Sequence, residues 1–134
     1  MGPEIQFNLF AYGTLMVPEL IRSIIDRDLK SGRGRLNDFE RRSVRNEIYP
    51  AVKPSLSNDV FGVIYYDLSL TEMNILDQYE GNMYERQTVS VCTGRNSIER
   101  CQVYACKPVY YYLLEEKAWD PSILTGLDLR KLLE

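Results

Sequence analysis

The stretch Tyr84-Glu85-Arg86-Gln87-Thr88-Val89-Ser90-Val91-Cys92-Thr93-Gly94-Arg95-Asn96-Ser97-Ile98-Glu99-Arg100-Cys101-Gln102-Val103-Tyr104-Ala105-Cys106 decides the fold class. Thr88 to Val91 alternate polar and apolar, so Val89 and Val91 share one face of an extended strand. Val103 and Ala105 share a face, with Tyr104 and Cys106 on the other. Gly94-Arg95-Asn96-Ser97 has the residues of a hairpin connection. Two adjacent strands over Tyr84–Thr93 and Glu99–Cys106 follow. Further strand-like runs are expected at Gln6–Tyr12, Ile48–Val52 and Val60–Tyr66. Several strands with only short helical interruptions point to an α+β fold, a small mixed β-barrel with flanking helices, rather than repeating β-α-β units.

Gln6–Tyr12 carries apolar residues without clean alternation, as a central strand covered on both sides would. Gly13 breaks it. Beyond Pro18, Leu20, Ile21, Ile24 and Ile25 recur at helical spacing, which predicts a helix over Pro18–Leu29 with proline in its first turn. Ser31-Gly32-Arg33-Gly34-Arg35 reads as a break. A second helix is punctuated at both ends. Ser69 and Glu72 form a capping-box pattern, Leu68 and Met73 a hydrophobic staple, and Gly81 supplies the stop, giving Leu70–Glu80. Pro108 ends the last long strand; Tyr110–Leu114 suits strand or helix. A short closing helix is expected within Leu124–Leu133.

With 134 residues and 15.6 kDa, the chain has the length of one domain, 1–134, able to bury about two thirds of its unfolded surface without metal or disulfide staples. Its net charge of −3 gives no general attraction to nucleic acid or anionic membrane. A local basic excess around Arg33, Arg35, Arg41 and Arg42 has Phe39 as its one interleaved aromatic, which makes no stacking platform, and reads as a solvated surface. No apolar run is long enough to span a bilayer and Met1–Ile5 lacks a signal-peptide pattern, so a cytoplasmic protein is expected, monomeric or homodimeric. Cys92, Cys101 and Cys106 have neither redox nor zinc spacing and read as small apolar residues in a reducing compartment.

Histidine is absent. That excludes Ser-His-Asp and Cys-His catalysis and imidazole metal sites, leaving Asp, Glu, Lys, Tyr or Cys for acid–base chemistry. Ten tyrosines suggest an aromatic-rich core or a polar-lipped pocket. Glu80 then stands out. Seven positions after Met73 it returns to within about 20° of the same helical direction, at the end of the apolar stripe. Burial and the negative end of the helix would both raise its pKa into the range of a group that takes and returns protons. Two readings stand: that proton carrier, or a carboxylate on a final turn that reaches solvent or pairs with Arg86. Asp77, one turn earlier, either raises Glu80's pKa by repulsion or accepts a structural hydrogen bond. At the other candidate segment, Tyr12-Gly13-Thr14-Leu15, a strand ending at glycine before a helix exposes several amides in one concavity, suited to a carboxylate or a developing oxyanion. It lacks the glycines and lysine of a nucleotide-phosphate loop.

Taken in order, Tyr12-Gly13-Thr14-Leu15, Leu76-Asp77-Gln78-Tyr79-Glu80-Gly81, Tyr84-Glu85-Arg86, Val103-Tyr104 and Trp119 resemble the gamma-glutamylcyclotransferase-like family, which includes the gamma-glutamylamine cyclotransferases. The resemblance implies a small mixed barrel with a cavity at one end. It also implies a cavity lined by Tyr12 to Leu15, Glu80 as the catalytic residue, and Tyr84 and Arg86 supporting the adjoining strand or reaching substrate. The implied reaction converts a gamma-glutamyl amine or peptide to 5-oxoproline and a released amine or amino acid, with no cofactor. The alternative is a non-catalytic ligand-binding or interaction module on the same scaffold. The Tyr110-Tyr111-Tyr112 run either packs beneath the C-terminal segment or contacts ligand.

Overall fold

The computed structural model describes residues 5–126. In chain order the regular elements are β1 (Gln6–Ala11), α1 (Pro18–Ile25), β2 (Ser31–Val44), β3 (Pro50–Ser69), α2 (Leu70–Glu80), β4 (Tyr84–Thr93), β5 (Ile98–Cys106) and β6 (Leu114–Ala118), with 3-10 turns at Thr14–Met16, Pro108–Leu113 and Pro121–Gly126. The fold is mixed α+β, built on a six-stranded sheet ordered β3-β1-β5-β4-β2-β6. β3 also pairs with β2, so hydrogen bonding runs round from β3 through β1, β5, β4 and β2 back to β3. Most pairs are antiparallel; β1 and β5 are parallel.

β1 divides the core. Leu9 and Ala11 face the helices and pack with Leu20, Ile21, Met73 and Leu76. Phe10 and Tyr12 face the other way, against Leu36, Val52, Ile64, Val91 and Val103. That double burial accounts for the unalternating sequence of the strand. β4 and β5 pair from Tyr84↔Cys106 to Cys92↔Ile98 as the hairpin pattern predicts. α2 has its predicted bounds. Ser69 Oγ accepts from the Glu72 amide, Glu72 in turn accepts from the Ser69 amide, and the chain leaves the helix at Gly81 with φ 79°.

Other expectations are corrected. α1 stops at Ile25 because Asp26 turns left-handed, φ 62°, its amide still closing on the Arg22 carbonyl. Ser31–Arg35 is no break but the start of β2. A Cβ on Gly34 would lie 2.8 Å from both Ile64 and Val91 side chains, so glycine occupies an inward position where alternation would show an apolar residue. The separate runs at Ile48–Val52 and Val60–Tyr66 belong to one strand, β3. It carries Pro54 beside the register shift at Asn37/Phe39, where a ladder donor is dispensable. Tyr110–Leu113 lies in a 3-10 turn and β6 was not foreseen. The part of the expected closing helix over 124–126 is 3-10, and its remainder lies outside the described residues. Cys101 and Cys106 are buried, Cys92 is partly exposed, and none is disulfide-bonded. No helix among the described residues is long and apolar enough to cross a membrane.

Candidate active site

A cavity of about 370 Å³ opens where the C-terminal end of β1, the end of α2 and the starts of β3 and β4 meet. Tyr12, Gly13, Thr14, Leu15, Glu80 and Tyr84 all line it. Arg86 does not; it lines a neighbouring groove with Asp77, Gln102 and Tyr104.

α2 sets Glu80 from three points. Its N-terminus is held by the capping box and by Arg27, whose Nε and Nη2 reach the two Glu72 carboxylate oxygens at 2.6 and 2.9 Å. Its middle is buried through Met73 and Leu76, both fully covered. Its last turn is tied to the sheet by Asp77, which accepts from the Tyr104 hydroxyl at 2.8 Å and pairs with Arg86 through Nε at 3.0 Å and Nη2 at 3.2 Å. Asp77 is therefore the structural acceptor, and Arg86 pairs with it rather than with Glu80. The Arg86 guanidinium also lies 5.6 Å from the centre of the Phe7 ring.

One turn on, Glu80 projects into the cavity. It keeps part of its surface open to solvent. No ion pair or side-chain hydrogen bond among the described residues engages its carboxyl. Without such a partner, desolvation acts alone, pushing its pKa from 4.5 up to about 7. Burial above all, with the Glu80 charge adding to it and, at Tyr104, the Asp77 carboxylate adding more, pushes the hydroxyls of Tyr12, Tyr84 and Tyr104 well up, so all three stay protonated and act as donors. The Tyr12 hydroxyl donates to the Tyr104 carbonyl, and Tyr84 donates to the Pro50 carbonyl at 2.8 Å. These bonds fix the aromatic walls.

The Tyr12–Leu15 segment has a one-sided backbone. All four of its carbonyls are taken: Tyr12 by Arg41 at 2.8 Å, Gly13 by the Met16 amide at 2.9 Å, Thr14 by the Val17 amide at 3.1 Å, and Leu15 by the Tyr65 hydroxyl at 2.8 Å. The amides of Gly13, Thr14 and Leu15 have no hydrogen-bond partner among the described residues. Unpaired donors at a cavity wall favour an anionic oxygen. Gly13 is required by close approach, since a Cβ there would sit 2.8 Å from Pro50 Cδ.

Sequence reasoning missed Tyr49, Pro50 and Tyr79, which line the cavity together with Asn82 and Met83 just after Gly81. The abundance of tyrosine was their one signal: Tyr12, Tyr49, Tyr79, Tyr84 and Tyr104 all reach the cavity. Tyr110 to Tyr112 do not line it; Tyr110 and Tyr111 pack near Val44, Ala51 and Cys106. Arg41, grouped by sequence with exposed arginines, turns inward to the Tyr12 carbonyl.

A family model described as "Gamma-glutamyl cyclotransferase, AIG2-like" matches residues 9–123. AIG2-like protein D of Arabidopsis thaliana is 33% identical over 131 residues, covering 93% of this chain and 86% of the relative. A solution structure of an Arabidopsis thaliana protein aligns with a TM-score of 0.75 at 25% identity, over 99% of this chain and 81% of that one. The structure of a gamma-glutamyl cyclotransferase aligns with a TM-score of 0.70 at 21% identity, over 96% of this chain and 85% of that one, and so shares its fold. The family match takes in the amide-bearing segment, the helix that carries Glu80 and the strands closing the cavity, and the chain belongs to the gamma-glutamyl cyclotransferase, AIG2-like family.

Proposed function

We infer that the protein is a gamma-glutamylcyclotransferase, converting a gamma-glutamyl amine or peptide to 5-oxoproline and the free amine or amino acid. The observation that carries this reading is a desolvated Glu80 carboxyl without an ion-pair or side-chain hydrogen-bond partner, lining the same cavity as Gly13, Thr14 and Leu15, whose amides are unpartnered among the described residues. With its pKa raised to about 7, that carboxyl can both remove and return a proton near neutrality.

In the proposed reaction, the Glu80 carboxylate takes a proton from the substrate's α-ammonium group. The freed amine attacks the side-chain carbonyl carbon, forming the lactam C–N bond and moving the carbonyl electrons onto oxygen. Glu80 then returns its proton to the leaving nitrogen as the original amide C–N bond breaks and the carbonyl re-forms, and the second proton on the new ring nitrogen passes, directly or through Glu80, to the released amine, leaving a neutral lactam and an ammonium product. Atoms and charge balance without a co-reactant. Nucleophile and electrophile belong to one molecule, so holding the chain folded supplies much of the advantage, on the order of several kcal/mol. The Gly13, Thr14 and Leu15 amides hold the substrate carboxylate or the developing oxyanion. Tyr12 and Tyr84 form walls. Arg86 acts through Asp77 to support the end of α2.

The test is a panel of gamma-glutamyl amines and gamma-glutamyl peptides with 5-oxoproline and released amine measured together. Equimolar release from at least one class is expected. Binding of panel members without any 5-oxoproline would leave the non-catalytic module as the function.

A further inference from the structure

Arg41, on β2, is partly buried, and its Nη1 donates to the Tyr12 carbonyl at 2.8 Å and to the Phe61 carbonyl at 3.0 Å. Its Nε is buried with no hydrogen-bond partner. The guanidinium carbon lies 5.3 Å from the centre of the Trp119 ring. Trp119 is itself 4% exposed and braced at both ends: its Nε1–H donates to the Ile48 carbonyl at 2.8 Å and its backbone amide to the Arg41 carbonyl at 3.4 Å. The molecule thus takes a cation partly out of water, a cost the cation–π contact with the indole offsets in part, and leaves one of its donors unsatisfied, a second cost. A neutral donor would serve if the Tyr12 carbonyl needed only a partner.

The location gives the cation a use. A peptide group is conjugated, so a charged donor on its oxygen draws electron density from its nitrogen and strengthens the N–H at the other end. The amide that follows the Tyr12 carbonyl is Gly13's, one of the three without a partner at the cavity wall. We propose that Arg41, held under Trp119, is a positioning residue that fixes and polarises the Tyr12–Gly13 peptide so that the Gly13 amide binds an anionic oxygen of the cavity's ligand. The identity of that ligand rests on the cyclotransferase reading; the polarisation does not.

Two variants separate charge from hydrogen bonding. Arg41→Gln keeps a donor without charge, and Arg41→Lys keeps the charge on a different donor. The amide ¹⁵N resonance of Gly13 reports on the bond to the preceding carbonyl, with Gly62, which follows Phe61, as a second reporter and Gly32 and Gly94 as controls. Gly13 is expected to move upfield strongly in Arg41→Gln and weakly in Arg41→Lys while the controls stay. kcat/KM for a gamma-glutamyl substrate should fall on the order of ten- to a hundredfold in Arg41→Gln, the loss expected when a charge-assisted donor is weakened, and recover in part with lysine. A KM effect would assign the amide to the substrate carboxylate, a kcat effect to the oxyanion, and both support the proposal. A glutamine variant that matches wild type, or equals the lysine variant, overturns it. Should Arg41→Gln fail to fold, Arg41→Met, which removes both charge and donor on an unbranched stem, decides, and an unmoved Gly13 resonance there overturns the proposal. If the wild type turns over no gamma-glutamyl compound yet Gly13 follows the arginine, lysine, glutamine order, the cyclotransferase reading falls and the polarisation stands.

Discussion

Replacing Glu80 by glutamine should stabilise the protein, and by an amount that grows with pH. The side chains are nearly isosteric, so packing at the cavity mouth is retained while the charge is lost. Burial holds the folded-state carboxyl at about 7 against 4.5 for an ordinary one. A carboxyl raised on folding binds its proton more tightly in the native state, so ionising it opposes folding. The wild type bears none of this penalty below the unfolded pKa; the penalty builds from there through the folded pKa and levels off above it. With those two values the penalty is about 1 kcal/mol at pH 5 and about 3 kcal/mol at pH 8, an upper figure because Glu80 keeps some contact with water. Glutamine carries no such penalty. The stability gap between Glu80→Gln and wild type should therefore widen by about 2 kcal/mol from pH 5 to pH 8, a relative change in Tm on the order of 5–10 °C for a domain of this size. Urea titrations of both proteins across that range, read by tyrosine and tryptophan fluorescence, give the two curves. Parallel curves would refute the desolvated carboxyl, and with it the physical basis for Glu80 as proton carrier.

Other outcomes follow from the same geometry. Gly13→Ala forces a methyl to 2.8 Å from the rigid Pro50 ring, so it should cost about 1–3 kcal/mol in thermal or urea unfolding and depress turnover more than its stability loss explains. Asp77→Asn removes the charge partner of Arg86 and weakens the acceptor of the Tyr104 hydroxyl; the pair is partly exposed, so a loss of about 1 kcal/mol is expected, with a fall in kcat as the last turn of α2 loosens. Ser69→Ala removes the cap at the far end of the same helix and should cost about 1 kcal/mol in unfolding experiments, leaving the pH dependence of turnover unchanged. The kcat/KM profile should rise with pH through about 7, because Glu80 must be ionised to take a proton, and an acid limb near 4.5 would contradict that assignment.

How much of this was legible in the sequence depends on whether local chemistry alone specified the element. α2 was readable because its cap, staple and terminal glycine are all local, and β4 and β5 because Thr88 to Val91 alternate and the turn residues between the strands are local, although the end of β5 is buried on both faces. β2 was hidden by Gly32 and Gly34, residues that signal a turn locally. At Gly34 the missing side chain is explained only by Ile64 and Val91 closing over that position from other strands. Glu80 could be singled out because helical periodicity put a carboxylate on an apolar stripe. Arg86 sits on the strand where it was expected, but its partner, Asp77, depends on how α2 lies across the sheet. Arg41 was the least legible. In sequence it is one of a run of arginines, and only the curl of β2 brings it beneath the Tyr12 carbonyl while Arg42 pairs with Glu40 at 2.7 Å.

The most direct measurement is the rate of 5-oxoproline formation from the best gamma-glutamyl substrate by wild type and by Glu80→Gln, at pH 8 where the wild-type carboxyl is ionised and the variant is folded. The account predicts a loss of about a hundredfold or more in kcat with little change in KM, as removal of a proton carrier gives. A glutamine variant that keeps the wild-type kcat would contradict it.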